Sequence, residues 1–416
     1  MTTVQTTTDD TRRLQYWRAF LERYWEREAG IVGPPPVDLG LGGDWFFGAV
    51  VAAAAAGERG EGPLLRLSVD GASPRTGRAR YLPRAEDGSV AGFLARMDGE
   101  TGGAEWSIGL SRLHRTSFEM WERAAVFTEG LWSALGGFPS GYADTDIFLG
   151  RYVGTRGGIH CDNAANFMFG VAGPKELVVW PPSAGEWLPL HRPDWSAVRH
   201  TGQALRASTT GMGYFPSRFW HVGSSPDAAS ATFNIALFFD GDPVDAVTDA
   251  VTASLAGTPR QPYDQLVRPD GTELPEALAD LLDRSLARIE RADVADRLLA
   301  TWLRKLSARG FGHVPDPLDV APVDHDLPVR LHRFPVVSQR SKGRLLVSAN
   351  GHLARLPDHP ALPAVLDRLN SGDVATPADL AREQAGSGGD FADIVDAVLY
   401  RLRTWRAIDV LDRDAP

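Results

Sequence analysis

Several features are scarce in this chain, and each absence excludes a class of protein. Cys161 is the one cysteine among 416 residues, so no intrachain disulfide can form, which suits a reducing compartment. The longest apolar run, Trp45 to Gly57, is shorter than the ~20 residues that cross a bilayer, and it predicts a buried helix. The first residues lack the apolar core of a signal peptide. We therefore expect a cytoplasmic protein with no membrane partner.

Basic residues are outnumbered by acidic ones, 43 against 53. The net charge is -10 and the pI is about 5.5, so a nucleic acid is not an expected partner. From Leu331 to Pro416 the sequence holds eleven basic and eleven acidic residues. A local excess of Lys and Arg at 331–356 is read as a solvated surface, with an anion- or peptide-binding face as the alternative.

What the chain does have is a strand-rich middle. Its 43 Gly and 29 Pro supply the turns that a β-rich core needs. Helices are predicted over 12–28 and within "TSFEMWERAAVFTEGLWSALGG", and strands over 64–110, with a hairpin turn at Asp87–Gly88. From Asp144 to Asp240 short apolar strands follow one another, which favours a sandwich or barrel over a βαβ fold.

The pattern changes after Asp242. Two stretches with helical periodicity end near Gly310 and predict a helical region, through which a homodimer would form. The remainder predicts a hairpin turned at Asn350–Gly351, three helices and a last strand, the order of a winged helix. We therefore predict three domains, at 1–243, 244–326 and 327–416.

One apolar ribbon, "GGIHCDNAANFMFGVAGPKELVVWPP", carries an unusual number of polar residues. His160 and Asp162 stand two apart, so in a strand they face the same side and can hold one metal ion. With a third ligand they would form the two-histidine, one-carboxylate triad of non-haem iron oxygenases. A His-x-acid pair is expected about once by chance in a chain with 10 His and 53 acidic residues. Whether this pair is a metal site therefore depends on the residues around it.

Further polar residues lie where an apolar core is expected. Lys175 interrupts an apolar strand, and a buried ammonium needs an anion, which a dicarboxylate co-substrate would supply. His221 ends "GMGYFPSRFWH", and Asn234 lies within "ATFNIALFF". Each of these residues also has an interpretation without a functional role. His160 and Asp162 would be a solvated pair, and His221 a core histidine bonded to the backbone. Lys175 would extend to the surface, and the asparagines would make structural hydrogen bonds.

These residues carry a family resemblance. "HCDNAANFMFGVAGPKELVVWPP" together with "GYFPSRFWHVGSS" and "TFNIALFF" resembles the JmjC branch of the cupin superfamily, and the order of domains is similar to its ribosomal-oxygenase group. The resemblance implies a mainly β fold with α: a double-stranded β-helix (jelly-roll or cupin) core, then a helical subdomain and a C-terminal winged-helix-like domain. It also implies Fe(II), 2-oxoglutarate as co-substrate and O2.

The resemblance assigns roles residue by residue. It makes His160, Asp162 and His221 the metal ligands and Lys175 the partner of the distal carboxylate of 2-oxoglutarate. Asn166 and Asn234 would line the co-substrate pocket. Where many relatives carry Thr or Ser, three residues before the first ligand, this chain has Gly157, and Thr155 is the nearest hydroxyl. Tyr152 and Tyr142 are candidates for an aromatic hydroxyl in the same pocket.

The expected activity is hydroxylation of a C–H bond by an Fe(II)- and 2-oxoglutarate-dependent dioxygenase. A residue of a protein or peptide is the expected substrate. The alternatives are a small molecule, N-demethylation at the same iron site, and a non-catalytic cupin that only binds.

Overall fold

The apolar and polar alternation of the middle region forms antiparallel strands, as the sequence predicts. The computed structural model describes residues 8–138, 140–191, 195–239, 241, 243–255, 282–287, 289–383 and 391–411. Contacts divide the chain into two units, one of Met1–Asp240 with Arg309–Asp316 and one of Gly241–Ala308 with Pro317–Pro416. The three-domain division stays a prediction. In the described ranges, no helix is both long and apolar enough to cross a membrane.

Two antiparallel sheets that share one long strand form the core of the first unit. Its strands are β1 (Gly30–Ile31), β2 (Leu64–Val69), β3 (Trp106–Ser111), β4 (Ala143–Tyr152), β5 (Ala164–Ala172), β6 (Glu176–Trp180), β7 (Gln203–Arg206), β8 (Met212–Phe215) and β9 (Trp220–Phe238). The larger sheet has the order β1-β8-β5-β9-β4-β3-β2, and β6 pairs with both β7 and β9. Because β9 runs from the smaller sheet into the larger one, the two sheets face each other as a jelly roll, which confirms the predicted fold class.

Helices cover the outer face of the larger sheet. They are α1 (Thr8–Arg23), α2 (Asp44–Glu58), α3 (Val90–Thr101) and α4 (Phe118–Leu135). Phe167 of β5 packs between Trp17 of α1 and Phe127 of α4, with ring centroids 5.8 and 5.3 Å away. Odd-numbered residues of β5 therefore face the helices, and even-numbered ones face the interior between the two sheets.

Three sequence-based predictions about local structure are corrected. Residues 90–101 form α3 instead of a strand, because the hydroxyl of Ser89 accepts the backbone N–H of Gly92 and caps the helix. Gly88 does turn the chain, with φ +70°, but it ends a short 3-10 helix and makes no hairpin. The first helix spans Thr8–Arg23, so it starts and ends earlier than the predicted 12–28.

The second unit combines helices with two small sheets. Its helices are α5 (Pro243–Leu255), α6 (Arg291–Ser307), α7 (Leu362–Asn370), α8 (Pro377–Arg382) and α9 (Phe391–Thr404), and its strands are β10 (Val329–Leu331), β11 (Val337–Ser341), β12 (Arg344–Ala349), β13 (His352–Pro357) and β14 (Ile408–Val410). The hairpin at Asn350–Gly351, the three later helices and the last strand are present as predicted. Part of the predicted helical region, 256–281, lies outside the described residues. The homodimer stays a prediction.

Candidate active site

Three polar side chains converge where the two sheets meet. His160 and Asp162 lie just before β5, and His221 is the second residue of β9. The backbones of His160 and His221 exchange two hydrogen bonds, of 3.1 and 2.7 Å between N and O. This bridge brings the two imidazole centroids to 4.4 Å. One ligand atom from each of His160, Asp162 and His221 lies within 4.8 Å of the others.

Backbone contacts orient both imidazoles for metal binding. Nδ1 of His160 lies 2.9 Å from the carbonyl oxygen of Gly158, and Nδ1 of His221 lies 3.1 Å from that of Phe219. A carbonyl oxygen only accepts, so each Nδ1 carries the proton and each Nε2 keeps its lone pair. Burial, followed by the neighbouring His160, lowers the pKa of His221, which keeps this ring neutral. Both histidines are therefore prepared as nitrogen ligands.

The carboxylate completes a set of ligand atoms with one open side. Oδ2 of Asp162 lies 3.6 Å from Nε2 of His221, and the Asp162 side chain is 48% exposed. Cys161 between the two ligand candidates is also exposed, and its sulfur is not part of the cluster. Two imidazoles and one carboxylate on one side of a site, with solvent on the other, fit a non-haem Fe(II) ion that keeps positions for other ligands.

Lys175 is buried at the inner end of the same interior. Its side chain is 7% exposed, and its ammonium donates to the Tyr152 hydroxyl and lies 4.3 Å from the centroid of that ring. Burial lowers the pKa of Lys175 to about 7. No carboxylate of the described residues forms an ion pair with it. The site therefore lacks an anion that its lysine requires.

Gly223 and Thr155 shape the space around Lys175. The Thr155 hydroxyl accepts the Gly223 N–H at 2.9 Å and donates to the Gly223 carbonyl at 3.3 Å. A Cβ on Gly223 would lie 3.1 Å from both Cε and Nζ of Lys175, closer than side-chain carbons normally approach. The absent side chain leaves the ammonium free to face the interior.

The two asparagines lie together on the interior face of the larger sheet. Nδ2 of Asn234 donates to Oδ1 of Asn166 at 2.7 Å, and both residues are buried. In the described part of the chain, Oδ1 of Asn234 has no hydrogen-bond partner. A buried acceptor without a donor costs about 1–3 kcal/mol, which points to a ligand with donor groups.

The structure also separates candidates that the sequence left equal. Tyr152 contacts Lys175, whereas Tyr142 stacks on Phe238 with the ring centroids 4.8 Å apart. Two buried acids, Asp144 and Asp146, line the same interior and were missed. The signal in the sequence was a pair of acids two apart in the strand "ADTDIFLGRY", whose other residues are mostly apolar.

Comparisons with known proteins give structural likeness alone. No family model matches this chain, and no curated protein matches it. The similar solved structures include the ribosomal oxygenase YcfD from Escherichia coli, at 17% identity and a TM-score of 0.46, over 95% of this chain and 98% of that chain. YcfD in complex with cobalt and 2-oxoglutarate aligns over the same shares, at 16% identity and a TM-score of 0.46. The DMSP lyase DddQ from Ruegeria pomeroyi aligns over 23% of this chain and 38% of that chain, at 12% identity and a TM-score of 0.17. At these values the likeness does not bear on activity, which rests on the geometry of the site.

Proposed function

We propose that this protein is an Fe(II)- and 2-oxoglutarate-dependent dioxygenase that hydroxylates a C–H bond. The observation that carries the proposal is the buried Lys175 ammonium, without a carboxylate partner, behind a His-Asp-His cluster. Gly223, against which Lys175 lies, is two residues beyond His221 on β9, so the two positions are about 6.6 Å apart and face the same side. A short dicarboxylate bound to the metal would reach the ammonium across this distance.

Each residue has a defined task in this proposal. His160, Asp162 and His221 would hold the iron through Nε2, a carboxylate oxygen and Nε2. Lys175, with the Tyr152 hydroxyl beside it, would bind the distal carboxylate of 2-oxoglutarate, and Asn166, whose Oδ1 accepts from Asn234, would contact its other end through its amide N–H groups. Thr155 would fix the strand segment at Gly223 through its two hydrogen bonds.

The bound iron, with 2-oxoglutarate and O2, supplies the oxidising power, and the overall reaction converts R–H, 2-oxoglutarate and O2 into R–OH, succinate and CO2. The chain supplies geometry and a dry interior. Phe215 packs on the His221 ring with centroids 4.7 Å apart, and Met168, Leu177 and Val179 exclude water behind it. No side chain is required as a general base.

A residue of a protein or peptide is the substrate that we propose. The exposed side of the cluster, at Asp162, leaves room for a side chain to enter from solvent. A small molecule would use the same opening, and N-demethylation would use the same metal site. Mass spectrometry of the product separates these outcomes, because hydroxylation adds one oxygen whereas demethylation removes a methyl group.

Succinate release tests the activity directly. Purified protein with Fe(II), ascorbate and 2-oxoglutarate should form succinate slowly without any substrate, and His160→Ala should abolish this turnover. Cys161→Ser, which changes an exposed neighbour outside the cluster, is the matched control and should keep it. A wild-type protein that binds neither iron nor 2-oxoglutarate would instead be a non-catalytic binding module.

A further inference from the structure

Basic side chains gather where β3 ends, and none of them belongs to the proposed metal or 2-oxoglutarate site. A 3-10 helix, Leu113–Thr116, follows β3 almost directly. Arg112 links the two elements, and Arg115 lies within the helix. Arg112 has φ +63°, a left-handed conformation that is unfavourable for a residue with a side chain. Strained backbone of this kind is found most often at functional positions, so we asked what the two arginines could bind.

A distant segment adds a third basic residue to this place. The segment Arg309–Asp316 belongs to the first unit although it follows α6 in the chain. Its Gly312 N–H donates to the Ala143 carbonyl at 3.3 Å, and the Gly312 carbonyl accepts from Nε2 of His114 at 2.6 Å. Since His114 is part of the 3-10 helix, these two bonds hold the next residue, His313, beside that helix.

Both arginines act on the same imidazole. Burial lowers the pKa of His313, and the positive charges of Arg112 and then Arg115 lower it further. In salt solution such effects fade over about 10 Å, so an imidazole that responds to both guanidinium groups lies near both. Arg112, Arg115 and His313 therefore border one region of the surface.

The protein itself does not neutralise this cluster. In the part of the chain that the structure describes, neither arginine forms an ion pair, and Nε of Arg112 is buried without a hydrogen-bond partner. Asp144 interacts electrostatically with Arg112, but burial, followed by the charge of Asp146, raises the pKa of Asp144 and weakens it as a counter-ion. Like charges that are held together without an anion destabilise the fold, so this arrangement indicates an anionic ligand.

The chemistry of the cluster favours a phosphate group among anions. Each guanidinium keeps its charge at neutral pH and offers a planar fork of N–H donors, which matches two oxygens of a phosphate. The Arg115 side chain is also held in place, since a Cβ on Gly62 would lie 2.9 Å from its Cδ and Nε. A phosphate group near its dianionic form balances two arginines, whereas a carboxylate leaves one of them unpaired. The imidazole of His313 offers a further N–H.

We propose that Arg112, Arg115 and His313 form a binding site for a phosphate group, either the free ion or a phosphate monoester. The site does not depend on the proposed function, because it shares no residue with the iron and 2-oxoglutarate site. A bound phosphate would link the 3-10 helix to the segment Arg309–Asp316, so it should stabilise the fold as well.

Calorimetric titration of the full chain tests this assignment. The probes are inorganic phosphate for the free ion, phosphoserine for a monoester, and acetate at equal ionic strength for a carboxylate. A chelator keeps free metal from binding the phosphate. Phosphate or phosphoserine should bind once per chain and about tenfold or more tightly than acetate, and the tighter of the two identifies the source. Absence of binding by both would overturn the proposal.

Variants locate the bound phosphate. Arg112→Gln and Arg115→Gln should each weaken its binding about 10- to 100-fold, the range for a lost hydrogen bond to a charged group. Arg59→Gln changes an arginine that is paired with Glu61 on the surface, and it should bind phosphate like the wild type. Undiminished binding by both variants of the cluster would overturn the proposal.

Two further variants separate this site from the interior and from misfolding. Lys175→Met should keep phosphate binding, and its loss in that variant with retention in Arg112→Gln would place the phosphate at the lysine and overturn the proposal. Arg115→Lys keeps the positive charge but not the fork, so it serves if Arg115→Gln does not fold. It should bind phosphate several-fold more weakly than the wild type, and equal affinity would contradict recognition by the guanidinium.

Discussion

Buried charged groups in the interior of the first unit differ from the charged groups on the basic hairpin of the second unit, which consists of β12 and β13 with the neighbouring β11. The difference lies in whether an ion-pair partner is present. In the interior, Lys175, Asp144 and Asp146 are buried without an ion-pair partner among the described residues. On the hairpin and its flanks, Arg340 pairs with Asp358 at 2.7 Å and Arg355 with Asp296 at 2.8 Å. Lys342 pairs with Asp293 as well.

This difference indicates which charges are available to a ligand. Partners within the same unit already use much of the positive charge of the hairpin, so its excess of basic residues does not by itself indicate a nucleic-acid or peptide surface. The buried Lys175 of the interior has lost water without gaining an anionic partner among the described residues, which costs free energy unless a ligand supplies one.

The largest effect is expected at the buried lysine. Lys175→Met keeps a long apolar stem but removes the positive charge that would meet the distal carboxylate of 2-oxoglutarate. We expect the Kd for 2-oxoglutarate to rise about 10- to 100-fold, the range for a lost hydrogen bond to a charged group. Lys342→Met, a lysine that is paired on the hairpin, should leave this Kd unchanged. An unchanged Kd in Lys175→Met would show that the buried ammonium does not bind 2-oxoglutarate.

A smaller effect is expected at Gly223. Gly223→Ala adds a Cβ about 3.1 Å from the ammonium, which has to move by a few tenths of an ångström. Binding of 2-oxoglutarate should weaken about tenfold, a cost typical of one overpacked methyl group. Gly99→Ala in α3 is the matched control, since its Cβ meets no atom within 4 Å. Equal binding by both variants would show that Lys175 does not define the pocket there.

The pH dependence of binding follows from the same lysine. Burial lowers the pKa of Lys175 to about 7 in the free protein, and a bound carboxylate would raise it again. Above pH 7 the free lysine is neutral, so binding takes up a proton, and the Kd for 2-oxoglutarate should rise by up to about tenfold per pH unit. Calorimetry in buffers of different ionisation enthalpy measures this uptake. Lys175→Met should show none, and a wild-type protein without uptake would refute the lowered pKa.

The smallest effect is expected on the hairpin. Arg340→Gln removes one largely exposed ion pair with Asp358, and such pairs contribute about 1 kcal/mol or less. The free energy of unfolding should fall by no more than this amount, and iron and 2-oxoglutarate binding should not change. Weaker binding of iron or 2-oxoglutarate by this variant would contradict the claim that the charges of the hairpin do not take part in ligand binding.

Much of the candidate site could be predicted from the sequence because its signals are local. His160 and Asp162 share a face through their spacing alone, and Lys175 and Asn234 interrupt apolar strands where a polar group needs a reason. His221, which is distant in the sequence, was identified from the resemblance. Its two backbone hydrogen bonds with His160 show how the fold brings it next to the other ligands. The succession of short strands predicted a sandwich or barrel, and the resemblance made it a jelly roll.

What could not be predicted depends on contacts between distant segments. Asp144 and Asp146 share a face by spacing, but only the register with β9 shows that the face is the interior. The choice of Tyr152 over Tyr142 depends on pairing far along the chain. At residues 88–90, the same Gly and Ser suit a hairpin turn or a helix cap, and the apolar spacing of Val90, Phe93 and Met97 decided for the helix.

The central claim is that a metal held by His160, Asp162 and His221 and the ammonium of Lys175 bind one dicarboxylate between them. Anaerobic titration of the protein with 2-oxoglutarate, with and without Fe(II), tests this most directly. We predict one 2-oxoglutarate per chain, tight binding only when Fe(II) is present, and a large loss of affinity in Lys175→Met. Binding that is equally tight without iron, or equally tight in Lys175→Met, would contradict the account.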